Sequence, residues 1–230
     1  MGLSNAVSNE IFDRIAFRYD LVNSVLSFGF HSAWRARLAK AFPPGTRCLL
    51  DLACGTAAIP LAFFRYRPDV THITGIDISG NMLGVARVRL NKAGAKPCLI
   101  EGDALNVPFE DASFDAVTVG FALRNVPDII RLLISAYRVL KPSGYFGILE
   151  FSRPAGAIAR FLYWLYLGVI VPLAGLLFTG NWKAYRHLGE SIIRFPSPDR
   201  FLKMLRQSGF REVSVRPMAF GAVTLYMAKK

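Results

Sequence analysis

From residue 47 onward the chain alternates short apolar runs with longer amphipathic stretches. "RCLLDLA" (47–53) is an apolar run with an acid near its end, followed by a helical stretch to about Tyr66. "THITGID" (71–77) again ends in an acid and leads into a helix through "GNMLGVARVRLNKAG". "KPCLIEGDA" (96–104) and "FDAVTVGFA" (114–122) predict a third and a fourth strand. "DIIRLLISAYRVLK" (128–141) has the spacing of an amphipathic helix, and "GYFGILEF" (144–151) follows as a fifth strand. Strands and helices alternating at this spacing need crossover connections, so the pattern predicts an α/β fold around a mainly parallel sheet. Near the end, "SPDRFLKMLRQSGF" (197–210) is a capped helix, and "REVSVRPMAFGAVTLYMAKK" holds two closely spaced strands. Residues 8–42 predict two helices joined by a turn, an N-terminal helical lid on a single domain spanning 1–230.

One stretch breaks the rhythm. "FLYWLYLGVIVPLAGLLFTG" (161–180) carries no charge and is long enough for a membrane span. It lies between the fifth strand and the terminal hairpin, which must join one sheet, so a single crossing would put those strands on opposite sides of a bilayer. Pro172, with Gly168 and Gly175, also interrupts a continuous helix. The stretch is therefore expected to form an apolar substrate lid, within an insertion at 153–196, that dips into a bilayer surface. Residues 151–189 contain no Asp or Glu but do contain Arg153, Arg160, Lys183 and Arg186, a rim suited to anionic headgroups. The plainer reading is a buried pair of core helices.

Composition narrows the picture. In 230 residues, 53% are hydrophobic and 19% charged, which argues for a packed domain rather than a disordered chain. The net charge of +12 points to an acidic partner, an anionic membrane surface before nucleic acid, since no RNA-binding module or Asn-Pro-Pro-Tyr-like motif is present. Cys48, Cys54 and Cys98 lack metal-ligand spacing, so no metal is expected and a reducing, cytoplasmic setting is. The N-terminus has no signal-peptide pattern, and Ala6 stands where a myristoylation motif needs a hydroxyl residue.

In open α/β sheets a ligand lies beyond the carboxyl ends of the strands. Asp51, Asp77 and Asp103 all fall near such ends. For a nucleoside ligand, Asp77 can accept from both ribose hydroxyls, Asp103 with Ala104 can meet the adenine amine, and Met82 can pack on the adenine face. The turn "ACGTAA" (53–58) must approach that ligand closely; Gly55 permits it, while Ala53 and Ala57 stand where further glycines are expected. An alanine serves there if its φ is negative. The plainer alternative is that Asp51 and Asp77 cap the following helices. Neither G-x-G-x-x-G nor G-K-[ST] is present, which favours a nucleoside without phosphate such as S-adenosylmethionine.

Longer motifs make the resemblance specific. "YDLVNSVLSFGFHSAW" (19–34), "RVLKPSGYFGILEFS" (138–152), "FALRNVPD" (121–128) and "YRHLGESIIRFP" (185–196) together resemble the ubiquinone/menaquinone biosynthesis C-methyltransferases of the UbiE type. In the first motif Val22 replaces the family's Met, and in the second Ser143 replaces a glycine. The resemblance implies a Rossmann-like, seven-stranded class I methyltransferase sheet, to which the terminal hairpin is suited. It also implies cofactor contacts from Thr56, Asp77, Asp103 and Ala104, beside Asp51, Gly55 and Met82. Ala57–Ala58 and Gly120 depart from the family's Gly-Asp and serine.

The implied reaction is methylation of a prenylated quinol ring carbon, with demethylmenaquinol the favoured acceptor. A 2-methoxy-6-polyprenyl-benzoquinol, another small phenol, or a non-catalytic scaffold of a quinone-synthesis complex are the alternatives; a homodimer is left open. Arg124 and Asn125, just past the fourth strand, are candidates to stabilise a phenolate, Arg124 by its permanent charge. His31 is the natural titrating base, with Tyr19 beside it on the lid. The plainer reading of Arg124 is a surface salt bridge, and of His31 a packing residue.

Overall fold

The computed structural model describes residues 29–173, 176 and 182–230, the side chains of 182–187 excepted. Its helices are α1 (Phe30–Ala41), α2 (Ala58–Tyr66), α3 (Gly80–Lys92), α4 (Ile129–Val139), α5 (Ala157–Leu165), α6 (Trp182–Arg194) and α7 (Pro198–Gln207). Its strands are β1 (Cys48–Leu52), β2 (His72–Asp77), β3 (Cys98–Glu101), β4 (Phe114–Gly120), β5 (Leu140–Phe151), β6 (Val213–Met218) and β7 (Val223–Lys229). They form one seven-stranded sheet in the order β3-β2-β1-β4-β5-β7-β6. β1 to β5 run parallel, while β7 is antiparallel to both β5 and β6, as the closely spaced final strands require.

Strand order reverses beside β1, because the chain moves outward to β2 and β3 and then returns to β4 on the other side. That switch point opens a crevice at the carboxyl ends of the strands. The central strands are apolar on both faces because helices cover both. Leu50, Leu52, Val117 and Val119 pack with Leu132, Leu133 and Ala136 of α4 and with Phe201 and Leu205 of α7. Leu49, Ala116 and Leu149 pack on the other face with Trp34 and Leu38 of α1 and Phe63 of α2. A Cβ at Gly147 would lie 2.6 Å from the Phe42 ring, so β5 needs glycine where this layer crosses it.

Local chemistry explains the element ends. Asp128 accepts from the Arg131 amide at 3.0 Å and opens α4, and Ser197 does the same for α7 with Arg200. Buried Arg67 donates to the Ala39, Phe42 and Pro43 carbonyls and to Asp69, satisfying acceptors at the end of α1. β3 is shorter than predicted, so Asp103 lies two residues beyond it, where its carboxylate accepts from the Leu105 amide at 2.9 Å.

Residues 157–173 of the apolar insertion are helical, Pro172 included. α5 passes into a π-helical turn at Tyr166–Ile170, and no helix among the described residues is long and apolar enough to cross a membrane. Leu167 and Val171 turn inward with Ile192 of α6 as a small cluster, while Ile158, Phe161 and Trp164 are exposed. π-Helical turns are frequent at functional sites, and Tyr166 and Leu167 of this one line the cavity described next.

Candidate active site

A cavity of about 870 Å³ opens at the carboxyl ends of the strands. Small-molecule sites span roughly 300–1,000 Å³, so this one lies toward the upper end of that range. Asp51, Gly55, Thr56, Asp77, Met82, Asp103 and Ala104 line it, as do His31, Arg124 and Asn125. Tyr19 lies outside the described residues. The tertiary structure adds Arg35, Phe121, Tyr163, Tyr166 and Phe220 to the same walls.

The turn after β1 corrects an expectation. Ala53, Gly55 and Ala57 have φ of +51°, +53° and +59°, all left-handed, so the alanines do not sit at negative φ. Left-handed backbone costs a non-glycine residue roughly 1–2 kcal/mol. At Ala57, which is buried against Ala86 and Leu90, a glycine would relieve that cost but lose a buried methyl worth ~0.8 kcal/mol and add ~0.4–1 kcal/mol of unfolded-state entropy. Ala53 is half-buried and loses less. Ala53→Gly is therefore expected to raise the melting temperature by ~1–3 °C, on the order of 0.5–1 kcal/mol, with Ala57→Gly near neutral; thermal unfolding of both variants checks this.

Two side chains distant in sequence hold the turn. Asp77, the last residue of β2, accepts from the Gly55 amide at 2.7 Å and the Ser79 amide at 3.0 Å. It does not cap α3; Ser79 does, accepting from the Met82 amide at 3.2 Å. A carboxylate has about four acceptor positions, so these two bonds do not exhaust its capacity. Arg89 of α3 donates to the Thr56 hydroxyl at 2.8 Å and to its carbonyl at 3.2 Å, so Thr56 lies braced in the turn.

Asp51 is buried near the end of β1, where it accepts from the Thr118 hydroxyl at 2.7 Å. Burial pushes its carboxyl up to about 8, Thr118 and Arg35 opposing and Asp77 adding to the rise. The folded value lies above the unfolded one, so this group's stabilising contribution is full below about pH 4 and is lost as pH rises through 8.

Arg124 sits in a one-turn 3₁₀ helix, Leu123–Asn125, just past β4. It is not a surface ion pair. Its Nη1 lies 2.9 Å from Glu150 Oε1, with side-chain exposures of 5% and 1%. The same Nη1 donates to the Phe121 carbonyl, and Nε is buried with no acceptor among the described residues. Glu150 also accepts from the Phe151 amide at 2.9 Å. Burial raises the Glu150 carboxyl while Arg124 opposes the rise. Tyr163 of α5, near enough to feel both charges, is buried and its hydroxyl is held well above the ordinary phenol range, mainly by burial.

The sequence model of the ubiE/COQ5 methyltransferase family matches residues 1–230. The chain belongs to this family. Curated relatives named demethylmenaquinone methyltransferase include those of Bacillus cytotoxicus, 36% identical, and Anoxybacillus flavithermus, 38% identical, each over 96% of this chain and 94% of the relative. Among solved structures, a Thermotoga maritima S-adenosylmethionine-dependent methyltransferase, described as a possible histamine N-methyltransferase, has a TM-score of 0.66 at 21% identity, covering 96% of this chain and 99% of that one. The [4+2]-cyclase SpnF has a TM-score of 0.69 at 16% identity, covering 100% and 97%. At these identities both likenesses bear on the fold alone, which the first shows to be that of a class I methyltransferase.

As a ubiE/COQ5-family methyltransferase the chain uses S-adenosylmethionine, and the donor set fits that group: acidic acceptors at Asp77 and Asp103, a close-approach turn at Gly55, and buried Met82 on the wall. Its departures from the family pattern have structural counterparts. A Cβ at Gly120 would lie 2.3 Å from Ile59 Cδ1, so Ile59 occupies the space a serine would need. Ser143 takes the family glycine's place at φ +63°, still left-handed. Glu150, Arg89, Tyr163 and Arg35 were missed as site residues in the sequence. Glu150 was visible inside "LEFS"; the other three carried no local signal.

Proposed function

We propose that this methyltransferase acts on a ring carbon of a prenylated quinol, with demethylmenaquinol to menaquinol as its acceptor and product. The observation that carries the reading is the composition of the cavity. One share of its lining is Asp51, Asp77, Asp103 and the 53–58 turn; another is Tyr163, Tyr166, Leu167, Val171, Leu188 and Ile192. The first share suits a charged nucleoside and the second an isoprenoid-bearing ring. The names of the curated relatives favour the naphthoquinol over the benzoquinol.

Bound S-adenosylmethionine supplies an electrophilic methyl on a sulfonium. Asp77 would accept from the ribose hydroxyls, Asp103 with Ala104 would meet the adenine amine, and Met82 would cover its face. The acceptor must be reduced, because only a quinol that loses a phenolic proton puts negative charge on the ortho carbon. Arg124 stabilises that phenolate but cannot take the proton, since a guanidinium does not titrate in this range. His31 on the cavity wall, or a water held by Arg124 and Asn125, receives it. Tyr163 stays protonated and serves as a hydrogen-bond donor. The test is methyl transfer under anaerobic reduction with matched demethylmenaquinol and demethyl-benzoquinol analogues. Transfer favouring the naphthoquinol, and none to the oxidised quinone, is expected; transfer to neither quinol with cofactor bound rejects the reading.

Asp51 makes cofactor affinity depend on pH. A cationic ligand in the cavity favours the carboxylate, so binding below about pH 8 must release a proton. Affinity for S-adenosylmethionine is expected to rise as pH increases toward 8 and then level off, with Asp51→Asn flattening the profile. Calorimetry in buffers of different ionisation enthalpy reads the proton directly.

The same helix that lines the cavity supports peripheral docking on a membrane, at the inner face of the cytoplasmic membrane. Ile158, Phe161 and Trp164 on α5 are 79%, 68% and 51% exposed, and Phe220 beside the cavity mouth is 96% exposed. Arg160, exposed among them, suits anionic headgroups. Burying such side chains contributes roughly 1.5–3 kcal/mol each. Phe161→Ser/Trp164→Ser is expected to weaken cosedimentation with anionic vesicles at least tenfold while leaving cofactor affinity alone; equal sedimentation of both proteins would count against docking through α5.

A further inference from the structure

Glu150 has no place on the cavity wall, yet it is the fully buried partner of a residue that does. It stands at the penultimate position of β5, opposite Thr224 of β7, and its Oε1 takes both Arg124 Nη1 and the Phe151 amide at 2.9 Å. Its Oε2 lies 3.4 Å from the Arg124 amide. The carboxylate thus grips Arg124 by side chain and backbone together and ties the turn after β4 to the end of β5.

A neutral side chain of the same shape could make most of these bonds. Buried ion pairs contribute little net stability compared with apolar replacements, because desolvation offsets the attraction. The negative charge here therefore calls for another reason, and the position of the pair at the ligand end of the sheet supplies one. Unpaired, a guanidinium buried at 5% side-chain exposure would turn toward whatever anion it could reach. Held by Glu150, it keeps one orientation, and its Phe121 bond and its contact with the Phe151 ring, 5.1 Å to the centroid, fix the remaining freedom. Tyr163 of α5 and Tyr226 of β7 also feel Glu150, and both hydroxyls are raised mainly by burial. Neither competes for the guanidinium as an anion.

We propose that Glu150 is a positioning residue for methyl transfer: it holds the Arg124 guanidinium against the cavity and limits the field that this cation exerts on the ionising quinol oxygen. The inference rests on the quinol-methylation reading. With Glu150 present, Arg124 stabilises the phenolate as the outer end of a neutral pair. Without its charge, Arg124 acts as an uncompensated cation and the bound quinol ionises more easily.

The experiment compares Glu150→Gln and Glu150→Asp in single-turnover transfer to a short-chain quinol at saturating cofactor, as a function of pH. Glu150→Gln keeps the acceptor for Nη1 and removes the charge. Its ionisation limb is expected about one pH unit lower than in the parent, equivalent to ~1.4 kcal/mol, with cofactor affinity within twofold. Glu150→Asp keeps the charge but withdraws it by one methylene, so the rate is expected to fall at least tenfold with the limb unmoved. An unshifted limb in Glu150→Gln, with both variants losing only melting temperature, overturns the proposal and leaves the quinol reading intact. Inactivity of the parent protein on every quinol overturns both. Should Glu150→Gln fail to fold, Glu150→Asp carries the test: a folded, cofactor-binding variant that has lost at least tenfold in rate with its limb unmoved supports the proposal, and one that keeps the parent rate overturns it.

Discussion

Arg124→Ala is expected to lower turnover by ~10²–10³-fold while changing S-adenosylmethionine affinity only a few-fold. The rate figure is that of removing one preorganised donor from a developing oxyanion, about 2.7–4 kcal/mol. Cofactor affinity is spared because the turn, Asp77 and Met82 reach the cavity from β1, β2 and α3, whereas Arg124 comes from the turn after β4. The variant also strands Glu150, which is fully buried and whose carboxyl burial already raises. Losing one partner of a buried pair costs roughly 3–5 kcal/mol while the other stays charged. Glu150 can escape by taking a proton, so the loss of stability should be small at pH 5.5 and grow toward pH 8.5. Kinetics at saturating cofactor, with thermal unfolding at both pH values, separate the two effects. Equal losses of rate and cofactor affinity would remove Arg124 from the chemical step.

Asp77→Ala is expected to weaken S-adenosylmethionine binding roughly 100-fold or more. Two hydrogen bonds to a charged acceptor disappear within the protein, each contributing ~1.5–3 kcal/mol. They end on the Gly55 and Ser79 amides, so the turn after β1 and the start of α3 lose their common anchor before any ligand contact is counted. The turn already carries alanines at +51° and +59°, and an unanchored turn relaxes toward ordinary backbone. The effect should therefore exceed that of removing a ribose contact alone. Asp77→Asn, which retains an acceptor for one amide, should fall between. Binding by calorimetry measures it, and a loss under fivefold for Asp77→Ala would show that the site does not depend on this carboxylate.

The two positions differ in how they could be found. Asp77 was legible because a strand pattern ending in an acid is a local signal, and the crossover topology implied by alternating elements puts every such acid at one edge of the sheet. Arg124 was legible through its motif, but its partner was not. The Arg124–Glu150 bond spans 26 residues, and no local spacing says which of several acids will meet a given arginine. The Arg89 bond to Thr56 spans 33 residues and was hidden for the same reason.

What the sequence determined by itself was the order of strands and helices, the parallel core with a terminal hairpin, and the acids at the strand ends. These follow from periodicity and turn chemistry, which act over a few residues. Only the tertiary structure decided that Ala53 and Ala57 are left-handed, because φ depends on how β1, α2 and the Asp77 carboxylate pull the turn into place. It also decided how the described part of the uncharged stretch, 161–173, is placed. An apolar residue looks the same facing a core, a ligand or a lipid, and only packing shows Leu167 and Val171 turned inward and Phe161 and Trp164 turned out.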